Sequence, residues 1–258
     1  MDEIVRTRVD ALKSCSDGHK DKICVVLETN GGFIETVERI ALALRRNYTC
    51  VEFIVPNCAY SAGTVLVMSG DEIHMDYFSV LGPIDPQYPS EDGDYMPGMG
   101  YLAKFNELVK TINADSEGKT RAELAFLMKK FDPAKLFDIE QAIEHSKSLL
   151  EEWLPKYKFK DWNVTETKQS PVSPDDKKNR AIEIANILGN AERWHSHGRG
   201  ITIKELMSEE IKLKVNDFSK NDNLNTLIRN YHGLFVDYMS RRAMTGAIHC
   251  RRGLRRIS

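Results

Sequence analysis

The chain has 258 residues, and its 36 basic and 38 acidic side chains leave a formal charge of −2. This balance gives no reason to expect a nucleic-acid partner. The length predicts one domain, or one domain with a helical appendage. We expect no signal peptide and no transmembrane segment. The five cysteines lack C-x-x-C spacing, so buried, reduced thiols and a cytoplasmic location are expected, with Cys24 and Cys50 in or beside strands.

The first third of the chain predicts a strand, a turn, a helix and a second strand. Residues 23–27 form a continuous apolar run, which is typical of a strand buried on both faces. Gly31 and Gly32 interrupt it, and residues 33–44 then carry apolar side chains at helical spacing. A second strand is predicted at 51–55. Such a unit should form a right-handed parallel crossover, with both strands ending on one edge of the sheet.

Ser61 follows the second strand, shortly before a helix predicted from Val65. The two turns should lie side by side at the carboxyl edge, where open α/β sheets place ligands. Gly31 and Gly32 would aim backbone N–H groups at a ligand, and a helix start favours negative charge near Ser61. A hydroxyl that faces backbone donors is what acyl transfer requires.

Simpler interpretations of the same residues stay open. The two glycines could form an ordinary turn, and Ser61 could be only a helix cap. A dinucleotide site would need the third glycine of G-x-G-x-x-G, and a phosphate loop would need a following Gly-Lys-Ser/Thr. Neither pattern is present after Gly32.

Three segments in this order resemble the Clp-protease/crotonase superfamily: LETNGG at 27–32, YSAGT at 60–64 and VLGPIDPQ at 80–87. Within it the chain is most similar to the serine dehydrogenase proteinase family, which is related to signal-peptide peptidase A. The resemblance implies an α/β fold of the Clp/crotonase type, a parallel-sheet ββα superhelix with C-terminal helical additions. We expect the core at 1–112 and a helical extension with a basic tail at 113–258.

The resemblance also implies roles for individual residues. Ser61 matches the nucleophile, Gly32 and Phe33 match the first oxyanion donors, and Ala62 matches the residue after the nucleophile. The histidine of a Clp triad would fall within 81–87, a segment that contains none. This departure argues against a copied Clp triad. Asp85 in that segment is expected to be a turn residue, with a place in the substrate groove as the alternative.

A lysine base is implied by the relatives of signal-peptide peptidase A, in which a desolvated lysine is neutral near pH 7. Lys104 is favoured because its apolar neighbours on a helix predicted at 101–112 could desolvate it. Lys110 is the second candidate, and both could instead be ordinary surface lysines. His197, which precedes an Ile-Thr helix start as a histidine does in the family, is a further alternative.

The rest of the chain reads as mostly helical. A His-x-His pair at 195–197 has no third ligand at suitable spacing, so no metal site is expected. Capping boxes are predicted at Thr120 with Glu123 and at Thr202 with Glu205. The other expectations are a short amphipathic helix around 5–12, a helix from Pro133 to about Pro155, a loop at 156–176, helices at 180–188 and 221–239, and a loose basic tail at 251–256.

The combined features favour a serine peptidase-type hydrolase with a serine nucleophile, a backbone oxyanion hole and a lysine base. It would need no cofactor and would act on a peptide or protein as a homo-oligomer, with apolar helical stripes as contacts. Two alternatives stay open: a catalytically inactive Clp-fold assembly or partner-binding protein, and a crotonase-like acyl-CoA enzyme. Serine dehydrogenase activity is not predicted, because no lysine lies in a pyridoxal-binding context.

Overall fold

The computed structural model describes residues 1–14, 21–89, 95–114, 126–165, 169–194, 196 and 198–257. The helices are α1 (Asp2–Lys13), α2 (Ile34–Asn47), α3 (Ala62–Met68), α4 (Gly98–Ala114), α5 (Pro133–Trp153), α6 (Pro174–Leu188), α7 (Ala191–Trp194), α8 (Ile203–Leu206) and α9 (Asp222–Arg241). The strands are β1 (Lys22–Val26), β2 (Cys50–Ile54), β3 (Cys58–Ala59), β4 (Glu72–Met75), β5 (Val80–Leu81), β6 (Gln87–Pro89), β7 (Tyr95–Pro97), β8 (Ile201–Thr202), β9 (Asn216–Asp217), β10 (Ala247–Cys250) and β11 (Gly253–Arg256).

Two sheets form the centre of the described part of the chain. The first is fully parallel and has the order β1-β2-β4-β9, with Val25 opposite Phe53 and Phe53 opposite Ile73. The second has the order β3-β5-β8, in which β3 and β5 are parallel and β8 is antiparallel. The parallel crossover β1-α2-β2 is therefore confirmed, and so is the α/β fold class with a parallel sheet.

One face of the parallel sheet is buried and the other is partly open. Phe53, Ile73 and Met75 are fully buried and share one core cluster with residues of α2 and α3. On the other face Val26 is 42% exposed and Cys24 is exposed. The prediction of a first strand buried on both faces is wrong, and so is the prediction of a buried Cys24. The reason is that β1 is the edge strand and its side chains alternate between the two faces.

The second half of the chain completes both sheets. Strand β8 pairs with β5, and β9 pairs with β4. Buried residues of α5 and α6, among them Leu150 and Ile184, belong to the same core cluster as the sheet. The described residues of the second half thus share one core with the sheet, while the division into a core at 1–112 and a helical extension at 113–258 stays a prediction.

Two irregular segments of the sequence are more ordered than expected. The chain continues from α5 into a π-helical turn, Leu154–Lys158, and α6 begins at Pro174, so the predicted loop at 156–176 is shorter. The expectation of a loose tail is wrong, because β10 and β11 form an antiparallel hairpin. Backbone pairing in a hairpin depends on a partner strand, which the basic composition of the tail does not reveal.

In the part of the chain that the structure describes, every helix is too short or too polar to cross a lipid bilayer.

The start of α6 provides a stability prediction. The Ser173 hydroxyl accepts from the Asp176 N–H at 3.1 Å, and the Asp176 carboxylate accepts from the Ser173 N–H at 2.8 Å, which together form a capping box. Replacing Ser173 by alanine removes this cap and should lower the free energy of unfolding by about 1 kcal/mol. Urea denaturation measures the change. Ser148→Ala, on the exposed side of α5, is the control and should alter stability far less.

Candidate active site

Ser61 lies in a strained turn between β3 and α3. Its backbone angles are φ 52° and ψ −120°, a region that residues other than glycine seldom occupy. Ser61 is the N-terminal cap residue of α3, yet its side chain makes no capping hydrogen bond. The interpretation of Ser61 as only a helix cap is therefore wrong. Strain of this kind costs about 1–3 kcal/mol and is concentrated at functional sites.

The glycine turn after β1 lies directly against Ser61. A Cβ atom built on Gly31 would be 3.0 Å from the Ser61 Cβ and 3.6 Å from the Ser61 Oγ. The Gly31 N–H donates to the Thr29 hydroxyl at 3.1 Å, and Thr29 forms a parallel bridge with Ala59. The two turns thus lie side by side, because they leave strands that run in the same direction.

The predicted oxyanion donors lie in these same two turns. Gly32 has open space where a side chain would be, and Phe33 is mostly exposed. Ala62 is the first residue of α3. Among the described residues no acceptor is found for the N–H groups of Gly32, Phe33 and Ala62. These three N–H groups therefore keep their donor capacity, although Ala62 itself is buried.

The turn that carries Ser61 is held in place by the segment at 80–87, the third of the three motifs. Thr64 Oγ1 lies 2.8 Å from the carbonyl oxygens of both Ala59 and Gly82, and it accepts from the Gly82 N–H at 3.0 Å. A Cβ atom on Gly82 would be 2.5 Å from the Tyr60 ring. Glycine at position 82 is therefore required by the close approach of this strand to the serine turn.

Asp85 connects the serine to α4. The Ser61 hydroxyl donates to the backbone carbonyl of Asp85 at 3.2 Å. The buried Asp85 carboxylate accepts from the Met99 N–H at 2.9 Å, in the first turn of α4. The Asp85 side chain thus holds the start of α4, while its backbone carbonyl accepts the Ser61 hydrogen bond.

The candidate bases lie in different settings. Lys104 is 59% exposed, and its ammonium donates to the Glu107 carboxylate at 2.9 Å. Lys110 is also exposed on α4. His197 lies outside the described residues, as do His195 and the capping box at Thr120 and Glu123. No side chain among the described residues hydrogen-bonds to the Ser61 hydroxyl, so the three bases stay predictions.

A thiol lies near the same edge of the sheet. Burial raises the pKa of the Cys58 thiol above its ordinary value, and the nearby Glu28 carboxylate raises it further. The thiol is therefore protonated at neutral pH and is a poor nucleophile. Cys58 is therefore not an alternative candidate for the nucleophile.

The sequence left several residues of this site unassigned. Thr29 and Gly82 had been seen only as parts of motifs, and Glu28 had no role. A hydroxyl residue two positions before a glycine turn is a signal for a side-chain-to-backbone hydrogen bond, which could have identified Thr29. The contacts of Gly82 and Glu28 are with residues distant in sequence, and no local signal shows them.

The segment that contains both turns has a recognisable family. Residues 7–95 match the model of the ClpP-like SDH-type serine proteinases. This match confirms the resemblance inferred from the three motifs, and it includes Ser61, the glycine turn and Gly82. The ClpP-like core and the parallel sheet support the Clp/crotonase type of fold for this segment.

Relatives and solved structures cover parts of the chain. One uncharacterized protein of Methanocaldococcus jannaschii is 38% identical over 85 residues, which are 31% of this chain and 30% of that protein. A second uncharacterized protein of the same organism is 39% identical over 71 residues, which are 26% of this chain and 24% of that protein. This chain therefore spans less than a third of the length of these relatives.

Among solved structures, a membrane-bound stomatin-specific protease in complex with a substrate peptide has a TM-score of 0.33 and 17% identity, over 56% of this chain and 65% of that chain. A putative enoyl-CoA hydratase/isomerase from Acinetobacter baumannii has a TM-score of 0.26 and 13% identity, over 76% of this chain and 88% of that chain.

Proposed function

We propose that this protein is a serine peptidase-type hydrolase with Ser61 as its nucleophile. The observation that carries the proposal is the strained Ser61, whose hydroxyl caps no helix and lies against the Gly31 turn. The family match over residues 7–95 supports the same activity. A peptide or protein is the proposed substrate.

The proposed reaction follows from the arrangement of the two turns. The Ser61 oxygen attacks the acyl carbon, after the hydroxyl has turned away from the Asp85 carbonyl. The N–H groups of Gly32, Phe33 and Ala62 stabilise the oxyanion of the tetrahedral intermediate. A base takes the serine proton and delivers it to the leaving amine, and water then hydrolyses the acyl-enzyme.

Lys104 is the proposed base, with Lys110 and His197 as alternatives. A lysine is neutral near pH 7 only when it is desolvated, and Lys104 is exposed in the single chain. We therefore propose that Lys104 is shielded from water by a second copy of the chain in a homo-oligomer, or by bound substrate. Leu227 and Leu234, exposed apolar residues of α9, are candidate contacts between copies.

Labelling with a fluorophosphonate tests the proposal. The reagent should modify the wild-type protein at Ser61, and Ser61→Ala should reduce labelling to background, because the attacking oxygen is absent. Ser148→Ala removes an exposed hydroxyl on α5 and should label like the wild type. Mass spectrometry of the labelled peptide identifies the site. Modification at another serine, or none at all, would contradict the proposed nucleophile.

A non-catalytic assembly or partner-binding protein is the second candidate. The observation that favours it is that Ser61 donates to a backbone carbonyl rather than to a side-chain base among the described residues. A folded wild-type protein that fails to react with the fluorophosphonate would support this candidate. An acyl-CoA enzyme is the third candidate, and native mass spectrometry after incubation with CoA tests it.

A further inference from the structure

Glu28 begins the short segment that leads to Gly31 at the candidate site. Glu28 directly precedes Thr29, whose hydroxyl accepts the Gly31 N–H. Thr29 pairs with the strand that leads to Ser61, because its N–H donates to the Cys58 carbonyl and its carbonyl accepts from the Tyr60 N–H, both at 3.0 Å. Only Thr29 and Asn30 separate Glu28 from Gly31, so a shift of Glu28 acts directly on the segment that lies against the serine turn.

The Glu28 carboxylate connects this segment to Asn57 and to His232 on α9. Oε1 of Glu28 accepts from the Asn57 side-chain amide at 2.6 Å, and Oε2 accepts from the Nε2–H of His232 on α9. Asn57 lies between β2 and β3, and its carbonyl accepts from the Val80 N–H at 2.8 Å. Glu28 thus joins the glycine turn, the approach to the serine turn and α9.

Helix α9 is attached to the sheet edge mainly through polar contacts. Arg229, one turn before His232 on the same face, donates to the Pro56 carbonyl at 2.5 Å and pairs with the buried Asp76 carboxylate. Ile228 is the buried apolar residue of α9, while Leu227 and Leu234 are exposed. Arg229 and His232 thus provide the polar contacts of α9 with this sheet edge, while Tyr231 and Phe235 stack on His249 of the β10–β11 hairpin.

We propose that Glu28 and His232 are positioning residues, through which docked α9 holds the Gly31 turn against Ser61. This inference rests on the proposed function for its catalytic consequence. When His232 donates to Glu28, the carboxylate is fixed between Asn57 and α9, and the Thr29–Gly31 segment keeps its distance from Ser61. When that hydrogen bond is lost, the segment gains freedom and the oxyanion donors lose their alignment. Misplacement by about 1 Å can cost about a hundredfold in rate, and partial loosening should cost about tenfold.

Two variants of His232 test the coupling. His232→Leu removes the donor to Glu28, while His232→Gln keeps a side-chain N–H donor. We expect His232→Leu to lower the maximal rate of fluorophosphonate labelling about tenfold with little change in the half-saturating reagent concentration. His232→Gln should restore most of the rate. Asp237→Asn, which breaks an exposed ion pair on α9 without touching Glu28, is the control and should label normally.

Hydrogen–deuterium exchange provides a readout that needs no catalysis. The peptide that spans residues 27–33 should exchange faster in His232→Leu than in the wild type, and His232→Gln should reverse the increase. Unchanged exchange in this peptide, or faster exchange with a wild-type labelling rate, would overturn the positioning role. If the wild type itself does not label, the proposed hydrolase fails, and exchange alone then decides whether His232 holds the turn.

Discussion

Replacing Gly31 by alanine is expected to reduce fluorophosphonate labelling of Ser61 by about a hundredfold or more, a loss comparable to removal of an oxyanion donor. The new Cβ atom would be 3.0 Å from both the Ser61 Cβ and the Tyr60 carbonyl oxygen, tighter than most such contacts in proteins. Gly31 also has φ +107°, which an alanine adopts only with strain. The turn must therefore move away from the serine, and the predicted donors move with it.

Matched glycine variants separate this effect from general loss of stability. Strain at one residue costs about 1–3 kcal/mol, so Gly31→Ala should remain folded, as circular dichroism and thermal unfolding can verify. Gly32→Ala also has a positive φ, of +156°, but meets no atom within 4 Å, and it should label better than Gly31→Ala. Gly100→Ala, in α4 with open space around it, should label like the wild type. If folded Gly31→Ala labels normally, the apposition of the two turns has no catalytic importance.

The parts of the fold that local patterns encode were predictable. The apolar run at 23–27, the helical spacing at 33–44 and the strand at 51–55 each give a periodic signal within one element. A parallel crossover then requires both turns to meet at one sheet edge. The structure adds a step that this pattern does not contain, because Ser61 follows β3 of the second sheet and the bridge between Thr29 and Ala59 brings its turn to Gly31.

Features that depend on distant partners were not predictable in the same way. Strands β8 and β9 have two residues each, and β9 exists because His74 and Asn216 become neighbours across the sheet. An apolar run cannot show that β1 is an edge strand, since this depends on which strands pair elsewhere. The start of α3 at Ala62 was also missed, because Gly63 and Thr64 resemble a turn. In the structure the small Gly63 allows the helix to pass the Thr29 methyl group, which a Cβ atom would approach to 2.4 Å.

In the candidate site, too, features with a local sequence signal were predictable and contacts between distant residues were not. Ser61 and the glycine turn could be located because each follows a strand, and their residue types suit acyl transfer. The hydrogen bond of Ser61 to the Asp85 carbonyl crosses 24 positions, and the contact of Glu28 with His232 crosses 204. The base stays a prediction because no side chain of the described residues hydrogen-bonds to the Ser61 hydroxyl.

Replacing Asp71 by asparagine should lower the free energy of unfolding by about 3–5 kcal/mol, the usual cost of removing one partner of a buried ion pair. Asp71 is 5% exposed. Its Oδ2 accepts from Arg45 at 2.6 Å and from the Val51 N–H at 2.7 Å, and its Oδ1 pairs with Lys160. These contacts join the end of α2 to the amino ends of β2 and β4. Asparagine would leave the buried Arg45 guanidinium without a compensating charge.

A matched pair on the surface provides the control. Asp237 and Arg241 form an ion pair on α9 in which both side chains are mostly exposed. Asp237→Asn removes the same charge from an acidic residue paired with an arginine, but it should change stability by less than about 1 kcal/mol. Urea denaturation of the two variants at pH 7 measures the difference. Equal effects would show that the Asp71 cluster contributes no more than a surface pair.

The pH dependence of stability distinguishes charge from packing at Asp71. Burial alone raises the pKa of this carboxyl, but hydrogen bonds from Lys160, the Val51 N–H and Arg45 outweigh burial and lower the pKa below 3.8. The unfolded chain has a pKa of about 3.9 for aspartate. The stabilisation is therefore fully present above about pH 4 and is lost as the pH falls through the lower, folded pKa. The difference in unfolding free energy between wild type and Asp71→Asn should shrink over that acidic range. A difference that is constant with pH would assign the effect to packing, because a carboxylate must be ionised to attract Arg45 and Lys160.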